Sequence, residues 1–286
     1  MKYLNSIFTN YNTALLLQFS QMVSSFLTVM TWNMWFNKKN RMERTEALLN
    51  EIRTYDPDII SLQEVVEESM KIIIAKMNPT YYIIGKISPD IGYDTIILSK
   101  FPPIEWNRYY LPKTKMGRNL LLTTLQTPTK QITVGTFHLE SIFNCGSDTA
   151  EELKKSQLNY IYAISPMNSI LMGDTNLVND EKPYPLPCKE SAKCPNNPPI
   201  IDIYYMSLPS PFFETELSQN DESILVESAT YCGKTNRNVK DKSIQSRLDR
   251  IYIKIKRNSL KVHFYGLTGK ITQPSDHYGV FCQIEF

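Results

Sequence analysis

Residues 170–177 read Ile-Leu-Met-Gly-Asp-Thr-Asn-Leu, "ILMGDTNL", and this stretch decides the fold. An apolar run of strand length stops at Gly173, and a carboxylate, Asp174, and an amide, Asn176, follow two residues apart. Burying unpaired polar atoms is costly, so a core strand ends in such groups only where they are used. Gly173 then reads as a point of close backbone approach.

The same pattern recurs along the chain. Asn33 closes "TVMTWN", Gln63 and Glu64 close "DIISLQE", and His138 and Glu140 close "ITVGTFHLE". Asp276 and His277 precede the last apolar run in "PSDHYGV", and Asp249 lies within "SRLDRIYI". Singly, each is an ordinary turn or cap residue. Together they describe a site at strand ends, where rigid backbone holds polar groups in place.

Periodicity supplies the frame around these ends. Strands are predicted over 26–33, 58–65, 81–87, 92–98, 104–110, 118–125, 131–137 and 169–173, and later near 226–231, 247–255, 260–265 and 279–285. Helices are predicted over 41–55, 66–77 and 149–164, with a short one in "IIDIYYMSL". The proline-rich stretch 178–200 reads as an irregular loop. Two helix-covered runs of strands with no internal repeat predict an α/β protein of two packed sheets flanked by helices. Residues 1–25 are expected to form an N-terminal arm, and 26–286 a single domain.

A chain of 286 residues with 42% hydrophobic and 21% charged residues can build a sizeable core without staples. The five cysteines are odd in number and scattered, which favours a reducing compartment, nucleus or cytoplasm. "ALLLQFSQMVSSFLTVM" (14–30) is too interrupted by Gln and Ser to span a membrane, and no stable membrane association is expected. A signal peptide there is the weaker alternative. Net charge is only +2, yet basic clusters at 108–118 and 234–257 could meet phosphates, or simply form a solvated face.

The residue types at the strand ends are carboxylates and amides without a Cys/His cluster, which suits a hard, oxygen-binding cation such as Mg²⁺. Asp249 with His277 would form a carboxylate–imidazole pair that favours imidazolium. Such a charge beside a cation suits a phosphoryl transition state. Competing chemistries are poorly supported. Cys188 and Cys194 lack the spacing and partners of a zinc site, "GLTGK" (266–270) lacks a phosphate-loop pattern, and Ser141 lacks a nucleophile elbow.

"TWN", "LQEV", "HLES", "GDTN", "RLDRI" and "SDHYG", in that order, resemble the endonuclease/exonuclease/phosphatase superfamily. "HLES" (138–141), "GDTNL" (173–177) and "TKMGRNLL" (114–121) narrow the resemblance to its members that cut tyrosine from 5′ DNA ends. The resemblance implies a DNase I-like four-layer α/β sandwich and Mg²⁺-dependent phosphodiester hydrolysis, with Mn²⁺ as a substitute. It implies that Glu64 is the main metal ligand, with Asp276 in the outer shell. Asp174 would activate water, Asn176 would hold it or the phosphate, and His277 backed by Asp249 would stabilise developing charge. Asn33 would hold the metal network, and His138 with Ser141 would contact phosphate. Arg118, Lys115 and Tyr231 would meet the substrate, a nucleic-acid 5′ end with a protein adduct, bound by a monomer.

Four positions depart from that pattern. Trp35 stands where the family has an acid, Val178 where an arginine would meet DNA, and Tyr231-Cys232 where tryptophan and an acid are usual. Two alternatives therefore remain. One is another enzyme of the superfamily: an abasic-site endonuclease, general nuclease, deadenylase or lipid phosphodiesterase. The other is a nucleic-acid-binding module that has lost catalysis.

Overall fold

The computed structural model describes residues 26–141, 147–178, 200–207, 228–255 and 260–285. The expected N-terminal arm, residues 179–199 of the expected loop, and Cys188 and Cys194 lie outside them. In chain order the elements are β1 (Leu27–Asn33), α1 (Arg41–Tyr55), β2 (Ile59–Val66), α2 (Glu67–Met77), β3 (Tyr82–Ile84), β4 (Tyr93–Ser99) and β5 (Pro103–Tyr110). β6 (Asn119–Gln126), β7 (Gln131–His138), α3 (Ser147–Ile164), β8 (Ser169–Asp174), β9 (Ile200–Asp202) and α4 (Ile203–Ser207) follow. The last are β10 (Tyr231–Cys232), β11 (Gln245–Ser246), β12 (Asp249–Lys254), β13 (Lys261–Thr268) and β14 (Gly279–Glu285).

The strands form two six-stranded mixed sheets, ordered β13-β14-β1-β2-β4-β3 and β5-β6-β7-β8-β12-β9, and a small β10–β11 ribbon. Each large sheet has one parallel pair at its centre, β1 with β2 and β7 with β8. The other pairings in both are antiparallel. Between the sheets lies one core, with Val29, Ile59, Ile97, Leu121, Val134, Ile170, Met172 and Ile251. Alternate residues of the same strands, such as Met30, Trp32, Ile60 and Leu62, meet Leu48, Leu49 and Ile52 of α1 and Ile73 and Met77 of α2. On the far side Leu120, Phe137 and Leu171 pack against Leu158, Ile161 and Tyr162 of α3. Helix, sheet, sheet and helix make the four layers. Central strands buried on both faces explain why β8 reads as a continuous apolar run rather than an alternating one.

The element boundaries differ from expectation where local geometry intervenes. β3 stops at Ile84 because Gly85 adopts φ 108°, outside strand geometry. "IIDIYYMS" splits into a strand paired with β12 and one helical turn. Of the strand expected over 226–231, the described part contributes only Tyr231, in the ribbon with β11. Among the described residues no helix is long and apolar enough to cross a membrane.

Candidate active site

The two parallel pairs send four strand C-termini to one rim. His138 and Asp174 end β7 and β8 in register, and Asn33 ends β1 beside Gln63 of β2. Their antiparallel neighbours begin at that rim: Asp249 opens β12 directly opposite Asp174, and His277 stands just before β14. The rims of the two sheets meet through Asn33, whose Nδ2 donates to Asp174 Oδ2 at 2.9 Å. Beneath them Gln63 donates to Thr136 Oγ1 of β7, and Ser61 to the carbonyl of Met172 of β8, bonding one sheet to the other. Within the second sheet, Gly173 is required by the close approach of β8 to β7, since a Cβ there would run into the carbonyl of its register partner Phe137.

Asp174 is the hub. Besides Asn33, it accepts the main-chain N–H of Asn176 on Oδ1 at 2.8 Å. His138 Nε2 and His277 Nε2 lie 3.3 and 3.8 Å from Oδ2. Burial alone would push this carboxyl up, but His138, His277, the Asn33 amide and the Asn176 N–H outweigh it and hold it below the usual carboxylate range. Asp174 is therefore an ionised acceptor at neutral pH.

The two imidazoles are driven to opposite states. His277 Nδ1 lies 2.7 Å from Asp249 Oδ2. Burial works against its charge, but Asp249 and Asp174 overcome this and keep the proton on well above the ordinary histidine range. Asp249 is fixed in turn, because Thr230 Oγ1 accepts the main-chain N–H groups of both Leu248 and Asp249. His138 is the reverse case. Arg118 lies 2.7 Å from its Nδ1, and a guanidinium only donates, so Nδ1 is the lone-pair nitrogen and Nε2–H faces Asp174. Burial and the Arg118 charge push its pKa well below the ordinary value, leaving it neutral. Asn176 closes over the cluster, its Nδ2 donating to the Leu139 carbonyl at 3.1 Å.

Glu64 is presented differently. A bulge shifts the β2–β4 register between Leu62 and Val65, and Glu64 within it takes φ 57°. That kink re-aims the side chain to the rim, where Oε2 accepts the Phe36 N–H at 2.9 Å. Burial lifts its pKa, the Phe36 N–H pulls it back, and Asp276 adds repulsion, leaving it at about 7. Asp276 is also raised, by burial first, against the pull of His277 and Ser275. Two carboxylates that repel one another and both lean toward protonation form an oxygen donor set that a hard divalent cation fits. Asp174, Asp249 and His277 also come within 4.8 Å of one another. That trio is already bridged by the His277 proton, which a cation would have to displace. Glu64 and Asp276 carry no such bridge and are carboxylates that could hold a cation.

The remaining expected residues are placed unevenly. Tyr231 sets its ring 5.1 Å from that of His277. Ser141 is buried and its hydroxyl donates to Met116 Sδ. Lys115 is exposed, and its main-chain N–H bonds to the buried Glu140, which also accepts from Thr114. Arg118 is buried and bound to His138, so it orients an imidazole rather than standing free on a basic surface. Trp35 packs on the Arg44 guanidinium at 4.5 Å, and Val178 is 54% exposed. The sequence-based reading did not single out three supports: Thr230 under Asp249, Ser275 donating to the Asn33 carbonyl, and Lys154 donating to the Asn176 carbonyl. Lys154 leaves a signal, since it falls on the apolar stripe of α3 marked by Ala150, Leu158 and Ile161.

The model of the Endonuclease/Exonuclease/phosphatase family matches residues 30–277, a span that contains every element of this cluster. The chain belongs to the Endonuclease/Exonuclease/phosphatase family. Within the family it is similar to human tyrosyl-DNA phosphodiesterase 2, 25% identical over 278 residues, covering 91% of this chain and 68% of that protein. The rat enzyme of the same name is 26% identical over 274 residues, with 91% and 67% covered. The fold is shared with a crystal structure of Danio rerio TDP2 complexed with single strand DNA product, at TM-score 0.69 and 22% identity, over 92% of this chain and all of that one. It is shared also with the human Nocturnin catalytic domain, at TM-score 0.61 and 19% identity, over 92% and 95%.

Proposed function

We propose that residues 26–286 form a catalytic domain that hydrolyses the phosphodiester joining a tyrosine to the 5′ end of a nucleic-acid strand, with Mg²⁺ as cofactor. The observation that carries this is the opposed pair of imidazoles around one ionised carboxylate, Asp174, on the same rim as Glu64. The similarity to tyrosyl-DNA phosphodiesterases and the Danio rerio complex with single-stranded DNA support the substrate class. The chain would act as a monomer on protein-blocked ends, in nucleus or cytoplasm, as part of nucleic-acid repair.

In this mechanism Asp174 orients a water and accepts its proton as oxygen attacks phosphorus. Asn33 and Asn176 hold Asp174 and the water in line, which is most of what phosphoryl transfer asks of a protein. Protonated His277 donates its Nε2–H to the phosphoryl oxygens as charge builds there, and Asp249, bonded to Nδ1, keeps the ring charged. Neutral His138 donates from Nε2 without adding a second charge beside Asp174. Glu64 and Asp276 would hold the cation, which when bound neutralises phosphate charge. The bond that breaks is phosphorus to phenol oxygen, leaving a 5′ phosphate and tyrosine. A phenol of pKa about 10 leaves more readily than a sugar alkoxide, so the tyrosyl ester suits a site where His277 is already engaged.

Val178, exposed where an arginine is usual, favours a second reading in which another phosphodiester is preferred. A panel compares a 5′-phosphotyrosyl oligonucleotide with an abasic duplex, a plasmid and poly(A), at one Mg²⁺ and salt concentration, because affinity for nucleic acid falls steeply with salt. The tyrosyl ester is expected to be cleaved fastest. Faster cleavage of any other member would transfer the assignment to it.

A further inference from the structure

Arg44 commits every N–H of its guanidinium to a main-chain carbonyl. Nε donates to Lys39 at 2.9 Å, one terminal nitrogen to Met34 and Pro274 at 3.0 and 3.1 Å, and the other to Trp35 and Asn37 at 3.1 and 2.6 Å. A guanidinium has five N–H groups in a fixed plane, so this set uses all of them. The Trp35 ring covers the face of that plane, 4.5 Å from its centre. Four of the carbonyls belong to the loop between β1 and α1, and the fifth belongs to Pro274. The loop is bent at Trp35, φ 61°, and at Asn40, φ 48°, two left-handed turns that an unanchored chain would not keep.

What these two segments carry gives the arrangement its meaning. Phe36 in the loop donates its N–H to Glu64 Oε2. Pro274 leads directly into Ser275, Asp276 and His277, and Ser275 Oγ donates to the Asn33 carbonyl just before the loop begins. Arg44 itself feels the charge of both the Asp276 and the Glu64 carboxylates.

We propose that Arg44 is a positioning residue for the cation site. By fastening the Phe36 loop to Pro274 it fixes where the Glu64 carboxylate stands relative to Asp276, and so sets the affinity for a divalent cation that it never touches. Trp35 serves as the stacking lid that keeps the guanidinium on its carbonyls. The inference rests on Glu64 and Asp276 being the cation ligands. Lysine cannot replace this function, since its ammonium has three donors and no plane to span five carbonyls or stack on an indole.

The test is direct Mn²⁺ binding by electron paramagnetic resonance, on wild-type, R44K and E64Q protein without substrate, with Mg²⁺-dependent cleavage measured in parallel. E64Q is expected to abolish Mn²⁺ binding. R44K is expected to weaken it about tenfold or more, within the range typical of groups that orient metal ligands. Its kcat at saturating Mg²⁺ should stay within about twofold of wild type, because such groups act on metal affinity. R44A is expected to recover Mn²⁺ binding when ethylguanidinium is added. If E64Q binds Mn²⁺ as wild type does, the cation assignment itself fails. If E64Q loses binding while folded R44K keeps wild-type affinity, the role of Arg44 alone is overturned. If neither Arg44 variant folds with or without ethylguanidinium, Arg44 is a structural residue only, and the proposal is likewise overturned.

Discussion

Asp174 and His277 carry complementary duties, and substitutions separate them. Asp174→Asn keeps the size and an acceptor toward Asn33 but removes the charge that takes a proton from water. Its kcat is expected to fall by about 10²–10⁴, the span of a lost general base, with thermal stability close to wild type. His277→Gln removes a cationic donor from the developing phosphoryl charge and should lower kcat by about 10²–10³. Single-turnover kinetics with bound substrate checks both, and D174N within tenfold of wild type would contradict the role of Asp174. At this scale the sequence was informative for residues whose type betrays their use. An acid, amide or imidazole at the end of an apolar run is costly without a partner, so the gathering of Asp174, Asn176, His138 and Asn33 on one rim could be expected by reading alone. Arg118 could not, because a basic residue in a basic stretch looks the same whether it faces solvent or, as here, an imidazole.

Among elements, the parallel pairs β1–β2 and β7–β8 do most to build the site, and Gly173 is where their packing is tightest. Gly173→Ala forces a methyl against the Phe137 carbonyl and must separate β8 from β7. It is expected to destabilise by about 1–3 kcal/mol, as overpacking of well-filled interiors does, read from denaturant midpoints. Activity should fall as well, since His138 and Asp174 are the last register pair of those strands. An unchanged midpoint would contradict the close approach. The helices α1, α2 and α3 were legible because their buried residues recur at helical spacing. The bulge that turns Glu64 outward was not legible, since "LQEV" alternates no differently from an unbroken strand. Nor was the use of Lys154, which needs the neighbouring Asn176 carbonyl to make sense.

For the whole molecule, the site is built at some expense to stability, and pH reveals it. His138 is buried neutral with a pKa well below the ordinary value. An unfolded chain binds a proton there below about pH 6.5. The folded chain does not, so its stabilising contribution is complete above that pH and is lost as pH falls toward the folded-state pKa. Taken alone this group lowers stability below about pH 6.5, by at most about 1.4 kcal/mol per pH unit, while His277 and Glu64, whose pKa values are raised, gain stability over the same fall in pH and oppose it. The His138 contribution is therefore read as a difference: the stability of His138→Asn relative to wild type should rise as pH falls from about 6.5 to about 5.5 in urea titrations, and a difference that does not change with pH would exclude His138 as the cause. The four-layer arrangement itself was readable, because two helix-covered runs of strands admit few packings. The meeting of the two rims depends on contacts such as Asn33 with Asp174, 141 residues apart, which no local pattern encodes.

The central claim is that this rim hydrolyses a 5′-phosphotyrosyl ester with the help of a divalent cation. The direct measurement is release of tyrosine from a 5′-phosphotyrosyl single-stranded oligonucleotide by the full chain, with Mg²⁺ and with excess EDTA. The expected result is Mg²⁺-dependent release that leaves a 5′ phosphate, is absent in EDTA, and is lost in both E64Q and D174N. No release by folded protein in either Mg²⁺ or Mn²⁺, or release that E64Q and D174N leave untouched, would contradict it.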